Sequence, residues 1–230
     1  MKQLRIPGII TIFALALVGC GSTETTSDEP QNAEEAQQQY KDMLDSGEAQ
    51  GPPPMPAGEY KATAEAGGTI LMQIPADPTD ETLAEIEEYR EATGAEPVTY
   101  LLADVDNRQG TDHIGMRNVY IYDEDGTEYQ FSDVSEYISD IEPETDWASE
   151  DETYSLVDGT EISRNQYFEL SSTGTDLHNE HMHGASPAER KTMILVHEGT
   201  DLPNEFTRVE VQPGPFGEEV EAFPTDWNTQ

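Results

Sequence analysis

The segment Val98-Thr99-Tyr100-Leu101-Leu102-Ala103 decides the predicted fold class. Its apolar side chains fall on both faces of a strand, which is typical of a central strand covered on both sides. After a polar turn, a second strand is expected over residues 114–122. The sequence Asp123-Glu124-Asp125-Gly126 then predicts a hairpin turn that returns through residues 128–131.

The residues before this strand predict two short strands and a helix. The strands lie between residues 60 and 74, on either side of Gly67-Gly68. A helix is predicted over residues 78–93, because Leu83, Ile86 and Tyr89 have helical spacing and a glycine follows. We expect this accessory helix to cover one edge or end of a sheet.

The residues after it predict many short strands. Apolar spacing before Pro143 favours a short helix, and a strongly acidic loop follows at residues 142–152. Strands are then expected at residues 154–157, 166–170, 191–196 and 206–211, with turn residues between them. This pattern predicts a mainly β protein, an antiparallel β-sandwich with that accessory helix.

The charge balance excludes several classes of partner. The chain has 230 residues, with Asp+Glu 48 against Lys+Arg 11 and a net charge of −37. Such a charge opposes nucleic acids and anionic lipid headgroups, whereas it attracts cations. The hydrophobic content of 35% is low for a wholly globular chain, and the deficit lies mainly in a proline-rich segment and in acidic loops.

The N-terminus has the organisation of a signal peptide. Lys2 and Arg5 precede an apolar run over residues 9–18, which is too short to cross a membrane as a helix. The segment Leu17-Val18-Gly19-Cys20 resembles the lipobox of bacterial lipoproteins. The resemblance implies cleavage between Gly19 and Cys20, followed by diacylglyceryl and palmitate-type lipidation of that cysteine. Two acyl chains would anchor the protein stably in the cell membrane, on its extracytoplasmic side. An ordinary secretory signal with a chance cysteine is the alternative.

These observations divide the chain into four parts. They are a signal peptide (1–19), a disordered acidic and proline-rich tether (20–58), a β-sandwich domain (59–222) and an acidic tail (223–230). Low hydrophobicity and net negative charge are the reason for expecting disorder in the tether. The single cysteine excludes an intrachain disulfide, so the domain depends on its own core.

Residues 98–107 together with residues 119–129 resemble a family of secreted bacterial lipoproteins. The shared pattern is a long strand ending in Asn107, then a strand leading into Asp123-Glu124-Asp125-Gly126 and Tyr129. The resemblance implies a telokin-like, immunoglobulin-like sandwich that acts at the cell surface as a non-enzymatic binding module. It implies no cofactor, and an extracellular protein as a possible partner.

A cluster of histidines supports a second hypothesis. His178, His181 and His183 lie within six positions, and Glu180 stands among them. Imidazole and carboxylate groups can hold Zn²⁺, Ni²⁺ or Cu²⁺, so the segment is a candidate metal site. The alternative is a polar loop with solvated histidines. An extracellular hydrolase is a third hypothesis, although the sequence has no nucleophile elbow or Walker loop.

Overall fold

The computed structural model describes residues 54–146, 152–214 and 218–226. The predicted signal peptide, the lipobox with Cys20 and most of the predicted tether lie outside the described residues. Within the described ranges, no helix is both long and apolar enough to cross a membrane.

The described residues form fourteen strands and three α-helices. The strands are β1 (Met55–Pro56), β2 (Gly58–Thr63), β3 (Thr69–Ile74), β4 (Thr99–Asp106), β5 (Asn118–Tyr122), β6 (Glu128–Asp133), β7 (Glu144–Asp146), β8 (Thr153–Ser155), β9 (Glu161–Ile162), β10 (Arg190–His197), β11 (Glu205–Phe206), β12 (Arg208–Gln212), β13 (Val220–Glu221) and β14 (Phe223–Pro224). The helices are α1 (Ala84–Thr93), which follows a 3-10 turn at Glu81–Leu83, α2 (Val134–Asp140) and α3 (Arg164–His181).

Nine strands form the main sheet, in the order β13-β12-β5-β6-β10-β4-β3-β2-β14. All neighbouring pairs are antiparallel, which confirms the predicted fold class. Strand β4, predicted to be central, pairs along its full length with β10 and on its other side with β3. The two halves of the curved sheet enclose one core, as in a β-sandwich.

One short segment closes this sheet. Strands β13 and β14 occupy opposite edges, yet only Ala222 separates them in the chain. The backbone N–H of Ala222 donates to the carbonyl of Val209 at 2.8 Å, next to the pairing of β13 with β12. Phe223 then pairs with Lys61 of β2 at the other edge. The sheet is therefore nearly closed, and few strand-edge groups remain open to other chains.

The two faces of β4 contact different cores. Leu101, Ala103 and Val105 point into the enclosed core. Tyr100 points to the other side, where it packs with the helices. This arrangement explains why the strand is apolar on both faces.

The predicted helix over residues 78–93 is confirmed as the 3-10 turn and α1. The Asp80 side chain caps the turn by accepting from Thr82 N–H, and Gly94 ends α1 with a φ of 74°. The helix before Pro143 is confirmed as α2, where Asp133 is the N-cap. Both helices lie on the face of β4 and β10 that points away from the enclosed core.

The strand predicted at residues 166–170 is wrong, because these residues belong to the 18-residue helix α3. The local cause is a capping box, in which the Ser163 side chain accepts from Gln166 N–H while the Gln166 side chain accepts from Ser163 N–H. Only Gly174 and Leu177 of α3 are fully buried, so its apolar periodicity is weak. The described residues therefore form three α-helices rather than one accessory helix with a second short one.

The fold extends beyond the predicted limits of the domain. Met55 lies in the segment assigned to the tether, yet it is buried and pairs with Phe206. Phe223 lies in the segment assigned to the tail, yet it belongs to the main sheet. The strand predicted at residues 206–211 is divided into β11 and β12.

Asn107 directly follows β4 and is fully buried. Its side-chain amide donates to the carbonyls of Asp112 at 2.8 Å and Ala185 at 2.9 Å. A Cβ added to Gly110 would lie only 1.8 Å from Asn107 Oδ1, so the turn is packed directly against this side chain. Asn107 therefore joins two loops at one end of the sheet.

Closure of the sheet predicts that Phe223→Ala lowers the free energy of unfolding by about 3–5 kcal/mol, the usual cost of truncating a buried phenylalanine. Phe168→Ala is the matched control, since Phe168 is 53% exposed and Phe223 only 3%. The control should stay within about 0.5 kcal/mol of the wild type. Urea denaturation measures both changes, and equal losses would contradict the closure.

Candidate functional site

A partly open cavity of about 540 Å³ lies between α1, α3 and the hairpin formed by β8 and β9. Five of its eleven lining side chains are aliphatic. They are Ala92, Leu156, Ile162, Leu170 and Leu177. The ring of Tyr89 completes the apolar part of the wall. We call this space the helix cavity.

Close packing fixes the two helical walls of the cavity. A Cβ added to Gly174 of α3 would lie 2.3 Å from the hydroxyl oxygen of Tyr89, so only glycine allows this approach of α3 to α1. Farther along α3, the Nδ1 atom of His178 lies 2.9 Å from the carbonyl oxygen of Ser135. It also lies 3.0 Å from the hydroxyl oxygen of Ser139, and both contacts join α3 to α2.

The hairpin that forms the third wall is attached to both helices. The backbone N–H of Val157 donates to the carbonyl of Thr93 at 3.2 Å, at the end of α1. The rings of Tyr154 and Tyr167 have centroids 4.7 Å apart, which joins β8 to α3. Direct contacts therefore join the two helices and the hairpin that surround the cavity.

The charged part of the lining is entirely acidic. Glu85 and Glu88 come from α1, and Glu169 comes from α3. All three side chains are exposed to solvent, and we call this acidic part of the lining the mouth of the cavity. No basic side chain and no histidine occurs among the described residues that line it. The mouth therefore carries negative charge on two facing walls.

Tyr89 carries an unusual polar group. The residue is 2% exposed, and its hydroxyl has no hydrogen-bond partner among the described residues. Burial raises the pKa of this hydroxyl well above its ordinary value, and the nearby Glu142 carboxylate raises it further. The hydroxyl therefore stays protonated and keeps its capacity to donate.

A second cavity, also of about 540 Å³, lies on the other side of the same hairpin. Leu156 lines the helix cavity and its neighbour Val157 lines the second one. Burial raises the pKa of Tyr137, which lines the second cavity, to about 12, and its hydroxyl also has no partner among the described residues. This cavity too has acidic side chains, among them Asp140 and Glu198.

The structure does not bring the three predicted metal-binding histidines together. The ring of His178 contacts α2, and burial lowers the pKa of His181 below its ordinary value. His183 lies beyond the end of α3, where its carbonyl accepts from the Lys191 ammonium group. Glu180 is exposed on α3. Among the described residues, no group of three or more His, Cys, Asp or Glu side chains is placed to hold a metal ion.

The sequence does not reveal the helix cavity. Its lining comes from three separate segments: residues 85–92, residues 156–162 and residues 166–177. The sequence predicts a strand followed by a polar loop in the last of these segments. That prediction does not bring its apolar side chains towards α1 and the hairpin. The one local signal was the Ser163-x-x-Gln166 spacing, which indicates the start of a helix.

No family model, curated protein or solved structure matches this chain. The function is therefore inferred from the geometry of the site itself.

The unpartnered hydroxyl of Tyr89 generates a prediction. Tyr89→Phe should leave the free energy of unfolding within about 0.5 kcal/mol of the wild type or raise it, because no hydrogen bond is lost. Tyr60→Phe is the matched control, since the hydroxyl of buried Tyr60 donates to the carbonyl of Pro56 at 2.8 Å. The control should lose about 0.5–1.5 kcal/mol in urea denaturation. A larger loss in Tyr89→Phe would mean that its hydroxyl has a partner.

Proposed function

We propose that the protein is a lipid-anchored, extracytoplasmic binding module, and that its ligand site is the helix cavity. The observation that carries the proposal is a space of about 540 Å³ with five aliphatic side chains and one tyrosine in its wall. Small-molecule sites in proteins are mostly apolar, with a few polar groups, and have volumes of about 300–1,000 Å³.

The lipobox supports the anchored location. The segment between Cys20 and Met55 is long enough to separate a folded domain from a membrane. A flexible chain of that length, about 35 residues, has a root-mean-square reach of roughly 30–35 Å. The strongly negative charge of the chain keeps the domain away from anionic headgroups, so the anchor and the binding site act independently.

The lining of the cavity supports binding rather than a reaction there. Its hydroxyl groups belong to Tyr89 and Thr173, and no histidine is present among the described lining residues to activate them. The hydroxyl of Thr173 donates to the carbonyl of Glu169, within its own helix. The cavity thus provides a ligand with a space of suitable size, an apolar surface and negatively charged groups.

Filling the cavity tests the ligand site. The neutral dye Nile red, whose fluorescence rises in apolar surroundings, serves as the probe. Thr173→Trp and Ala92→Trp place a bulky side chain on opposite walls, and each should remove most of the bound fluorescence. Thr175→Trp is the matched control, because Thr175 lies two residues along α3, outside the lining, and makes the same kind of bond to the preceding turn.

The control variant should bind the dye as the wild type does. Unchanged fluorescence in both filled variants would contradict the assignment of the site. Circular dichroism of each variant confirms that the comparison is made between folded proteins.

Labelling with radioactive palmitate tests the anchor. The wild type should carry the label and sediment with membranes, whereas Cys20→Ala should do neither, because the chain has a single cysteine. Label retained by Cys20→Ala, or a wild-type protein that still begins at Met1, would contradict the proposed location.

A further inference from the structure

We propose that the helix cavity selects a small organic cation: a compound with an amine or quaternary ammonium group attached to an apolar body. The inference rests on the proposed function and names the class of ligand for the same site. Two features of the cavity support it, namely the three carboxylates of its lining and the apolar side chains that line the same space.

The charge at the mouth is one-sided. Glu85 and Glu88 stand on α1, Glu169 stands on α3, and no basic side chain lies in the described lining. The arginine nearest in sequence to the α1 pair is Arg90, whose Nε atom donates to Glu87 Oε2 at 2.7 Å. Its NH1 group donates to the carbonyl of Ala95 at 2.6 Å. Arg90 is thus engaged elsewhere and does not neutralise the mouth.

Other basic groups near these walls are also engaged. Arg164, at the start of α3, lies over the ring of Phe168, with its guanidinium carbon 5.4 Å from the ring centroid. Lys191 donates to the carbonyl of His183. The three carboxylates at the mouth form no ion pair with another described residue, and a cation entering the cavity would be their counter-charge.

The wall below the mouth fits the apolar body of such a ligand. Leu170 and Leu177 contribute from α3, and Leu156 and Ile162 contribute from the hairpin. An anionic ligand of the same shape would meet three like charges, and a neutral one would leave the carboxylates without a partner. The combination of apolar wall and acidic mouth therefore discriminates by charge.

The overall charge of −37 attracts every cation, so local selection must be separated from this general effect. Salt makes the separation possible, because charges farther apart than about 8 Å are largely screened at physiological ionic strength. Binding that persists at such a salt concentration reports the carboxylates at the mouth.

The test uses three probes that share an eight-carbon chain: octylammonium, octanol and octanoate. Each displaces Nile red from the wild-type protein in 150 mM salt at neutral pH. We expect octylammonium to bind at least tenfold more tightly than octanol, and octanoate to bind more weakly than either. Direct calorimetric titration with octylammonium checks the displacement result.

A triple variant, Glu85→Gln/Glu88→Gln/Glu169→Gln, locates the effect. It should weaken octylammonium binding at least fivefold and leave octanol binding unchanged. All three side chains are exposed, so the variant retains the packing of the fold. The single variant Glu169→Gln should show a smaller change in the same direction.

A matched control removes the same charge elsewhere. Glu91→Gln and Asp176→Asn lie on the same two helices, outside the lining, and Glu124→Gln lies in the turn between β5 and β6. The triple control should bind octylammonium as the wild type does. A second control, Asp140→Asn/Glu198→Gln, alters the second cavity and should also have no effect.

Each outcome supports or overturns a definite statement. Nile red and octanol binding without preference for octylammonium overturns the ligand class and leaves the proposed function standing. An equal loss in the triple control means that only the general field acts, which also overturns the inference. A loss confined to the second-cavity variant assigns the cation to the other side of the hairpin. Absence of binding by Nile red and all three probes overturns the proposed function as well.

Discussion

The pairing of residues 220–224 with both edges of the main sheet is the constraint on which the structure depends. Strand β13 extends one edge and β14 extends the other, and Ala222 between them is buried. A curved nine-stranded sheet without this connection would leave two edges open to other chains. The connection also brings the two halves of the sheet around one core. The outer face of β4 and β10 is then a stable base for the helices, and the helices in turn build the cavity.

The sequence predicts the sheet well because strand signals are local. The run from Val98 to Ala103 is apolar on both faces, and the structure places it between β3 and β10, with a core on each side. The turn at Asp123–Gly126 and the end of α1 at Gly94 are also local, and both predictions are confirmed. Such elements can be predicted without knowing which distant residues they contact, because a few neighbouring side chains determine their backbone conformation.

The predictions that fail depend on contacts between distant segments. Helix α3 has few buried residues, so its periodicity is weak, and packing of Gly174 against Tyr89 replaces a long apolar stripe. The same contact determines the helix cavity, which no local pattern could show. The metal site predicted at the histidines stays a prediction, and it too depends on distant contacts. The ring of His178, for example, contacts the carbonyl of Ser135 in α2.

The large negative charge of the chain has different effects at different places in the fold. On most of the surface it favours solubility and opposes binding to polyanions. Most described arginines contact an acid of the fold, as in the pairs Arg190–Asp104, Arg108–Asp106 and Arg117–Glu136. The carboxylates at the cavity mouth differ because they line the same cavity as five aliphatic side chains. In the proposed ligand site, negative charge is therefore combined with an apolar surface.

The position of β1 determines how the folded domain would respond to a pull from the membrane anchor that we propose. Tension in the tether would enter at Met55, where two residue pairs hold β1 to β11. Behind β1, strand β2 is held by six pairs to β3 and by two more to β14. Drag on the domain would therefore detach β1 first and release about 7 Å of chain, since a strand extends by about 3.3 Å per residue. The Tyr60 hydroxyl of β2, which donates to the carbonyl of Pro56, would pass part of this load to the nine-stranded sheet.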